Sequence, residues 1–491
     1  MAISNHRLSD EEYARNFSDI HPPFETRDAA LVDANRCLFC YDAPCTKSCP
    51  TGIDVPKFIK QISTDNLKGS AHTIFQSNIM GGGCSRVCPV EKLCEGACVY
   101  NLMEEEPIPI AKLQRYATEK AIRDKWPLFQ RAQPTGKKVA VVGAGPSGLS
   151  CAHVLARSGA DVTIFEKEEK GGGLMTYGIA AYKVTPAFCE EELEYILSIG
   201  GITVLYGQEL GRNISLAGLQ QQYDAVYLAF GVGLARQLEI PGEELTGVVD
   251  AISFIYDLRS KGYPEVAVGD KVAVIGLGMT AIDAATQARR LGAKEVTIVY
   301  RRTQDEMPCT QAELDIAKLD GCRILWLAAP KAIIGAPSRT TDVDNAAGSG
   351  AGMGAATSLR ASADSQHVTG LVCSVMQLGA PDSSGRRSPI DTGETITLEV
   401  DMIIKAAGQT PFMQLVEDTG LANDMGKIVV GNGGVTNGVS VSGAPANYAG
   451  VFAGGDCVNG GKEVVDAVQA GKDAAAAILD YLSSRANADK A

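Results

Sequence analysis

Eight of the fourteen cysteines of this chain lie between residues 37 and 98, at spacings that suit metal ligands. The first run follows a C-x2-C-x4-C-x3-C-P pattern, and the second run opens with another C-x3-C-P. Thiolates are soft ligands that select iron-sulfur clusters or zinc, and eight of them suffice for two metal centres. The two runs consist of Cys37, Cys40, Cys45 and Cys49, and of Cys84, Cys88, Cys94 and Cys98.

A proline directly after a run of cysteines indicates which of the two metal centres the last cysteine ligates. Bacterial ferredoxins use a C-x3-C-P ending in which the last cysteine ligates the other cluster. Pro50 follows Cys49 in the same way. We therefore expect Cys49 and Cys98 to exchange partners between the two runs.

Disulfides and structural zinc are the alternative uses of these cysteines. The polar, acidic start of the chain has no apolar secretory core, so an oxidising compartment is not expected. Structural zinc sites usually carry two C-x2-C pairs, and only Cys37 and Cys40 have that spacing. The pattern favours iron-sulfur clusters, and zinc remains the alternative.

Composition limits the class of protein. A chain of 491 residues with 45% hydrophobic residues is long enough for about three domains, each with its own core. A net charge of -13 argues against a nucleic-acid groove, which needs clustered lysine and arginine. The sequence contains no run of eighteen apolar residues, so we expect no membrane span. Cysteine-rich metal sites without a signal segment indicate a cytoplasmic location.

Helices must position the cysteines. The apolar spacing predicts a helix near Asp28–Arg36, two short helices between the cysteine runs, and another helix through IAKLQRYATEKAI from Ile110. We expect residues 1–136 to form a small helical domain binding two 4Fe-4S clusters. Its core should consist largely of the clusters, so that it does not fold without them.

The composition changes at Lys137, where a dinucleotide-binding unit begins. A strand, a G-x-G-x-x-G turn, a helix and a second strand follow one another, and the second strand ends at an acidic residue 23 positions after Gly143. The glycines let the backbone approach a pyrophosphate, and the acid can bind ribose hydroxyls. The cofactor-binding residues expected here are Gly143, Gly145, Pro146, Ser147, Gly148 and Glu166.

A second dinucleotide unit begins at Lys271 with a G-x-G-x-x-A turn that ends at Ala281. Its second strand ends in two arginines, which are expected opposite a ribose 2'-phosphate and favour NADPH over NADH. The alternative is that one arginine only solvates the strand end. The cofactor-binding residues expected in this unit and after its last strand are Gly276, Gly278, Met279, Thr280, Arg301, Arg302, Ala407 and Gly408.

The last part of the chain returns to the first unit. A strand reaching Gly455 and Asp456, followed by a helix from about Glu463, suits a flavin site, because the carboxylate can bind a ribityl hydroxyl. Asp456 could instead be only a helix cap. We therefore predict an α/β protein with two Rossmann-like domains, the second inserted in the first. The FAD-binding domain comprises residues 137–258 and 405–491, and the NAD(P)-binding domain comprises 259–404 with a flexible insertion near 335–366.

These parts predict hydride transfer from NAD(P)H to FAD, carried by the flavin itself without a catalytic side chain. Flavin can release the two electrons singly, as a 4Fe-4S cluster requires. The flavin-proximal run GGGLMTYGIAAYK, with Gly173, Leu174 and Lys183 as expected contacts, contains no cysteine. The six other cysteines form no close pair and are expected to be buried small hydrophobes. The electrons should therefore leave through the clusters, and no segment remains for an organic substrate.

Three runs of the front domain carry a family resemblance: CLFCYDAPCTKSCPTGIDVPKFIKQI, IFQSNIMGGGCSRVCPVEKLCEGACVY and EEEPIPIAKLQRYATE. They are similar to the N-terminal part of dihydropyrimidine dehydrogenase, and the whole chain resembles its flavin and iron-sulfur portion, a separate subunit in bacteria. The small subunit of NADPH-dependent glutamate synthase is related, but DAPCTKSCPT and the C-x3-C-P at Cys84 fit the pyrimidine family better.

The resemblance implies a ligand set and a partner. One cluster would use Cys37, Cys40, Cys45 and Cys98, and the other Cys49, Cys88, Cys94 and Gln114, although a simple count would use Cys84. It also implies a partner subunit with FMN that reduces uracil or thymine. Met279, Ala180 and Lys183 depart from the family pattern, and Met279 leaves the choice between NADH and NADPH open.

Overall fold

A computed structural model describes residues 3–337, 366–382, 385–431, 434 and 449–488. Most of the predicted insertion at 335–366 therefore lies outside the described residues. The chain forms two compact units, one of Met1–Ser18 with Ala235–Gly408 and the other of Asp19–Leu234 with Gln409–Ala491. We call the first the nicotinamide unit and the second the flavin unit.

The front part of the flavin unit is helical, as predicted. Asp54 and Asn66 cap the two helices between the cysteine runs by accepting hydrogen bonds from the backbone N–H groups of Lys57 and Gly69. The α-helices are Arg27–Arg36, Pro44–Lys47, Val55–Ser63, Leu67–Ser77, Gly81–Val87 and Ile110–Arg123, and the 3-10 turns are Val90–Lys92 and Val99–Met103.

The core of this helical part differs from the prediction. Phe58, Ile74 and Leu113 are fully buried, and they belong to one hydrophobic core that continues into the flavin-binding sheet. The expectation that the clusters form most of the core is therefore wrong. The apolar faces that the sequence placed on these helices pack against one another and against the sheet domain instead.

A five-stranded parallel sheet forms the rest of the flavin unit. The last strand, Val451–Ala453, comes from the end of the chain and pairs with Ala225–Leu228, so this domain is discontinuous. The strand order is Val451–Ala453, Ala225–Leu228, Lys138–Val142, Asp161–Phe165 and Ile202–Leu205. The helices are Pro146–Arg157, Leu174–Tyr177, Pro186–Leu197, Leu216–Gln222, Met413–Thr419, Asp456–Asn459 and Val464–Ala488, and a small hairpin joins Asn423–Asp424 to Lys427–Ile428.

The nicotinamide unit repeats the parallel arrangement, which confirms the α/β class with two dinucleotide folds. Its sheet has the order Val248–Asp250, Met402–Lys405, Lys271–Ile275, Glu295–Tyr300 and Arg323–Trp326. Its helices are Ala251–Ser260, Met279–Arg290 and Gln311–Leu319, with 3-10 turns at Tyr263–Glu265 and Gln304–Glu306. An antiparallel sheet of Ala328–Pro337, Gln366–Pro381 and Arg387–Glu399 extends it. Two-residue strands lie at Leu234–Ala235 and Gln409–Thr410.

The first residues of the chain pack on the nicotinamide unit, although the sequence prediction placed them in the cluster domain. After a short helix, Asp10–Asn16, the ring of Phe17 stacks on Tyr263 with centroids 4.1 Å apart, and Arg7 pairs with Asp270. These contacts join residues far apart in sequence, which no local pattern reveals. The predicted domain boundaries stay predictions. Within the described part, every helix is too short or too polar to cross a bilayer.

Candidate functional site

Cys37, Cys40, Cys45 and Cys98 are neighbours in the structure, and we call them the first thiol group. The pKa of Cys45 is raised to about 11, first by burial and also by the thiols of Cys37 and Cys98. Burial likewise raises the pKa of Cys37, with Cys40 and Cys98 acting in the same direction. The structure thus brings together the four residues that the family resemblance assigned to one cluster.

Cys49, Cys84, Cys88 and Cys94 form a second thiol group, which lines a cavity of about 30 Å³. The pKa of Cys88 is raised by a hydrogen bond with Cys84, by burial, and by the thiols of Cys94 and Cys49. Gln114 lines the same cavity. All five candidate donors of the second centre therefore surround one space.

Either Cys84 or Gln114 can complete the second centre. Cys84 is 3% exposed and Gln114 is 7% exposed. Gln114 belongs to the helix Ile110–Arg123. Its side-chain Nε2 donates a hydrogen bond to the carbonyl oxygen of Gly81 at 2.6 Å. That bond leaves its amide oxygen as a possible ligand atom. The assignment of Gln114 rather than Cys84 stays a prediction.

The donor chemistry of both groups fits iron-sulfur clusters. Buried, mutually close thiols with raised pKa values stay protonated unless a bound cation stabilises the thiolates. Among the described residues, no three histidine, cysteine, aspartate or glutamate side chains lie close enough to ligate one metal ion. The ligands of a 4Fe-4S cluster lie farther apart than those of a single ion, because each of the four protein ligands binds a separate iron.

The two thiol groups adjoin each other and the end of the flavin-binding fold. The pKa of Cys94 is raised by burial, by Glu95, and then by Cys49 and Cys45, so the second group lies next to the first. Val465, near the start of the helix Val464–Ala488, lines the cavity of the second group. The second group therefore adjoins both the first group and the helix that ends the flavin fold.

The glycine turn of the flavin unit has the geometry of a pyrophosphate site. Gly143 has φ +106°, and a Cβ there would lie 2.5 Å from the carbonyl oxygen of Ala229. A Cβ on Gly148 would lie 2.0 Å from the carbonyl oxygen of Gly143. The helix Pro146–Arg157 begins just after Gly145, and no described side chain caps it. Its first N–H groups can thus receive a phosphate.

Glu166 is fixed at the end of the second strand. Its Oε2 accepts a hydrogen bond from the backbone N–H of Ala144 at 2.7 Å, and its Oε1 accepts one from Glu168 at 2.9 Å. Burial raises its pKa. Each oxygen keeps a lone pair for a ribose hydroxyl. Ser147, by contrast, shares a 2.6 Å hydrogen bond with the hydroxyl of Tyr227, which packs the turn against the sheet.

The flavin-proximal run lies against the glycine turn. A Cβ on Gly173, which has φ +55°, would lie 2.8 Å from the Cα of Gly145. Leu174 begins the short helix Leu174–Tyr177 directly after it. Lys183 is buried, and its charge helps burial to lower the pKa of His21. The close approach of the two backbones thus supports a cofactor role for Gly173.

Asp456 lies where the closing segment meets the sheet. Gly455 before it has φ +75°, and the Asp456 Oδ1 accepts a hydrogen bond from the backbone N–H of Lys462 at 3.2 Å. Burial raises the pKa of Asp456. The carboxylate therefore organises the loop to the last helix, and its second oxygen can bind a ribityl hydroxyl.

The second glycine turn, in the nicotinamide unit, is more open. A Cβ on Gly276, with φ +120°, would lie 2.5 Å from the carbonyl oxygen of Ala406, whereas a Cβ on Gly278 would meet nothing within 4 Å. Met279 and Thr280 are half-buried in the first turn of the helix Met279–Arg290. Ala407 and Gly408 follow the strand Met402–Lys405.

The two arginines at the strand end have different surroundings. Arg301 is exposed, as a phosphate-binding cation should be, whereas Arg302 is buried. The Arg302 Nε donates a hydrogen bond to the carbonyl oxygen of Arg387 at 3.1 Å, and the Arg387 guanidinium pairs with Glu306. Arg387 was missed in the sequence, because it lies on a distant hairpin strand and no motif marks it.

Sequence reasoning also missed a buried carboxylate between the flavin fold and the second thiol group. Glu192, on the helix Pro186–Leu197, is 2% exposed and accepts a hydrogen bond from the backbone N–H of Gly83 at 2.8 Å. Burial raises its pKa to about 7, although that hydrogen bond and the Arg86 charge lower it. The sequence EEELE indicates a solvated helix face, so no local signal identifies Glu192.

These features define a class of protein: an electron-transferring flavoprotein with one dinucleotide fold for a flavin, one for a nicotinamide cofactor, and eight clustered cysteines. Residues 13–126 match the family model of dihydropyrimidine dehydrogenase domain II, 4Fe-4S cluster. Residues 137–471 match pyridine nucleotide-disulphide oxidoreductase. The chain therefore belongs to the pyridine nucleotide-disulphide oxidoreductase family and carries an iron-sulfur domain of the dihydropyrimidine dehydrogenase type. It is an FAD- and NAD(P)-dependent iron-sulfur oxidoreductase, which confirms the predicted cofactors.

Several bacterial proteins are similar along most of this chain. The small chain of NADPH glutamate synthase from Escherichia coli is 31% identical over 95% of this chain and 94% of its own. The NAD-dependent dihydropyrimidine dehydrogenase subunit PreT from Salmonella typhimurium is 31% identical over 95% of this chain and 98% of its own. The protein AegA from Escherichia coli is 31% identical over 97% of this chain and 69% of its own.

The fold also resembles solved structures. Mycobacterium tuberculosis FprA in complex with NADPH superposes with a TM-score of 0.55 at 21% identity, covering 73% of this chain and 86% of that one. At this identity the likeness concerns the fold alone. It agrees with the α/β class.

Proposed function

We propose that this chain is the electron-input subunit of a dihydropyrimidine dehydrogenase of the bacterial type. It would take hydride from NAD(P)H onto FAD and pass single electrons through two 4Fe-4S clusters to an FMN-containing partner, which reduces uracil or thymine to the 5,6-dihydro form. The observation that carries the proposal is the order of sites within the flavin unit. The second thiol group adjoins the helix that follows Asp456, and the first group adjoins the second.

The chain's own residues bind and separate the redox groups. When bound, the flavin supplies the conversion of a two-electron donor into one-electron carriers. The glycine turn at Gly143–Gly148 and Glu166 hold the dinucleotide, and the cysteines hold the clusters. Every cysteine of the described part is free, and the six outside the thiol groups are all buried, as predicted. Among these residues the electrons therefore have no disulfide acceptor.

The test is reconstitution with a partner. The purified holoprotein is mixed anaerobically with a candidate FMN-containing pyrimidine-reducing subunit, and oxidation of NADPH and of NADH is followed with and without uracil or thymine. The proposal expects nicotinamide oxidation that depends on both the partner and the pyrimidine. Oxidation that proceeds equally without pyrimidine, or a pyrimidine product formed by the partner alone, would contradict it.

A second candidate is the electron-input subunit of a glutamate synthase. It is favoured by the equal identity, 31%, to the Escherichia coli small chain over 94% of that chain. The same assay with a glutamate synthase large subunit decides between the two. Nicotinamide oxidation that requires glutamine and 2-oxoglutarate, and not uracil, assigns the chain to this alternative.

A further inference from the structure

Five large apolar side chains on the segments that flank Cys37, Cys40 and Cys98 are exposed to solvent. Single exposed hydrophobic residues are ordinary on a protein surface, whereas a group of them marks an interaction site. We call this group the apolar patch. Its members and their exposed fractions are Val32 67%, Leu38 52%, Tyr41 106%, Leu102 87% and Met103 55%.

The members of the apolar patch are joined through the ligand loops. Leu38 and Tyr41 are direct sequence neighbours of Cys37 and Cys40, and the 3-10 turn Val99–Met103 begins directly after Cys98. The hydroxyl of Tyr100, in that turn, donates a hydrogen bond to the carbonyl oxygen of Arg36 at 2.8 Å.

That bond fastens the turn to the end of the helix Arg27–Arg36. Val32 and Arg36 lie four residues apart on this helix, so they share one face. The segments that carry the apolar patch are therefore held together beside the ligand loops of the first thiol group.

Carboxylates border the apolar patch. Glu104, Glu105 and Glu106 follow Met103 directly and are all exposed. Asp42, next to Tyr41, has a side chain that is 75% exposed and pairs with Lys47 at 2.7 Å. The rim is therefore acidic on the side of the 3-10 turn. Complementary charge on a partner would increase the rate of encounter.

We propose that the apolar patch and its acidic rim are the docking surface for a one-electron-accepting protein, whose own redox centre lies in an apolar surface bordered by lysine and arginine. The inference rests on the proposed function, because it requires electrons at the first thiol group. The step moves one electron from a reduced cluster to the oxidised acceptor, with no bond made or broken. A small apolar contact with charged surroundings suits a transient redox encounter.

The experiment uses the full holoprotein and two acceptors. Cytochrome c, a basic protein with an exposed haem edge, is the docking probe, and a small neutral quinone that takes electrons from the flavin is the reference. The first variant is Tyr41→Ser with Leu102→Ser, and the second is Glu104→Lys with Glu105→Lys. The control is Leu319→Ser with Met425→Ser, which removes side chains that are 86% and 72% exposed elsewhere.

The inference expects both patch variants to lower the second-order rate constant for cytochrome c about tenfold at low salt. Quinone reduction should stay unchanged in every variant, and the control should match the wild type. The wild-type rate should fall with salt, and the Lys variant should lose that dependence.

Three results would overturn the inference: cytochrome c rates that do not change in the patch variants, the same loss in the control, or no cytochrome c reduction by a wild type that reduces quinone. A wild-type dimer that Tyr41→Ser with Leu102→Ser converts to monomer, with cytochrome c reduction intact, would show that a second copy covers the patch. Absence of quinone reduction in the wild type would instead be a failure of the proposed function.

Discussion

At the scale of single residues, Glu192 shows how a buried carboxylate can connect two parts of the flavin unit. It accepts a backbone hydrogen bond from Gly83, one residue before Cys84, and it lies near Arg86, whose guanidinium is 3.5 Å from the ring centroid of Phe188. Arg86 also pairs with Glu119 at 3.0 Å. Burial disfavours the ionised form of Glu192, so the free energy of unfolding depends on pH.

Replacing Glu192 with Gln should remove this pH dependence of stability. The folded-state pKa of about 7 lies above the ordinary value of 4.5, so the wild type binds more protons when folded and loses stability as pH rises from 4.5 to 7. Between pH 6 and 8 the wild type should lose roughly 1 kcal/mol relative to the variant. Thermal unfolding of both holoproteins at the two pH values measures the difference.

Glu191→Gln is the matched control, because Glu191 is exposed on the same helix. It should keep the wild-type dependence on pH. A Glu192→Gln variant whose stability follows the wild type from pH 6 to 8 would show that the carboxyl is not strained by burial.

Gln114→Leu and Cys84→Ser test the ligand of the second centre. If Gln114 is a ligand, its replacement should alter the visible absorbance of one cluster and lower the iron content by up to about half. Cys84→Ser should leave both clusters, because the hydroxyl keeps the size and polarity of the site. The reverse pattern would make Cys84 the ligand, as a simple count of thiolates suggests.

At the scale of elements, local motifs were predicted well and distant contacts were not. The helices between the cysteine runs were predicted from apolar spacing, and both glycine turns were predicted from their fingerprints. The position of Arg387 could not be predicted, because no motif in the strand Arg387–Glu399 indicates that it reaches the turn after Tyr300. The bond between Arg302 and Arg387 depends on tertiary packing across 85 residues.

Arg387→Ala should therefore weaken binding of NADPH more than binding of NADH. The guanidinium of Arg387 pairs with Glu306, and the backbone carbonyl oxygen of Arg387 accepts a hydrogen bond from Arg302. The hairpin therefore positions the turn that is expected to bind the 2'-phosphate. Because the ion pair is partly exposed, we expect about a fivefold rise in KM for NADPH, near 1 kcal/mol, with kcat retained. Steady-state kinetics with both nucleotides and the quinone acceptor measure it.

Arg386→Ala makes the same change of charge at an exposed neighbour and should leave both KM values unchanged. Equal effects of Arg387→Ala on NADH and NADPH would mean that the hairpin supports the unit as a whole and not the phosphate-binding turn.

At the scale of the whole molecule, the sequence predicted the α/β class, the discontinuous flavin domain and the cofactor set, because each depends on motifs that are contiguous in the chain. It did not predict that residues up to Ser18 pack with the nicotinamide unit, since Phe17 and Tyr263 are far apart in sequence. The sequence also led to an overestimate of how much of the helical domain's core the clusters form. The apolar face of a helix does not show which other element it packs against.

The most direct test of the account is the cofactor content of the protein purified without oxygen. Iron, acid-labile sulfide, zinc and flavin are measured per chain, together with the visible absorption spectrum. Two 4Fe-4S clusters and one bound flavin should give about eight irons, about eight sulfides and one FAD per chain. Zinc in place of iron with no sulfide, or a colourless protein without flavin after anaerobic reconstitution, would contradict it.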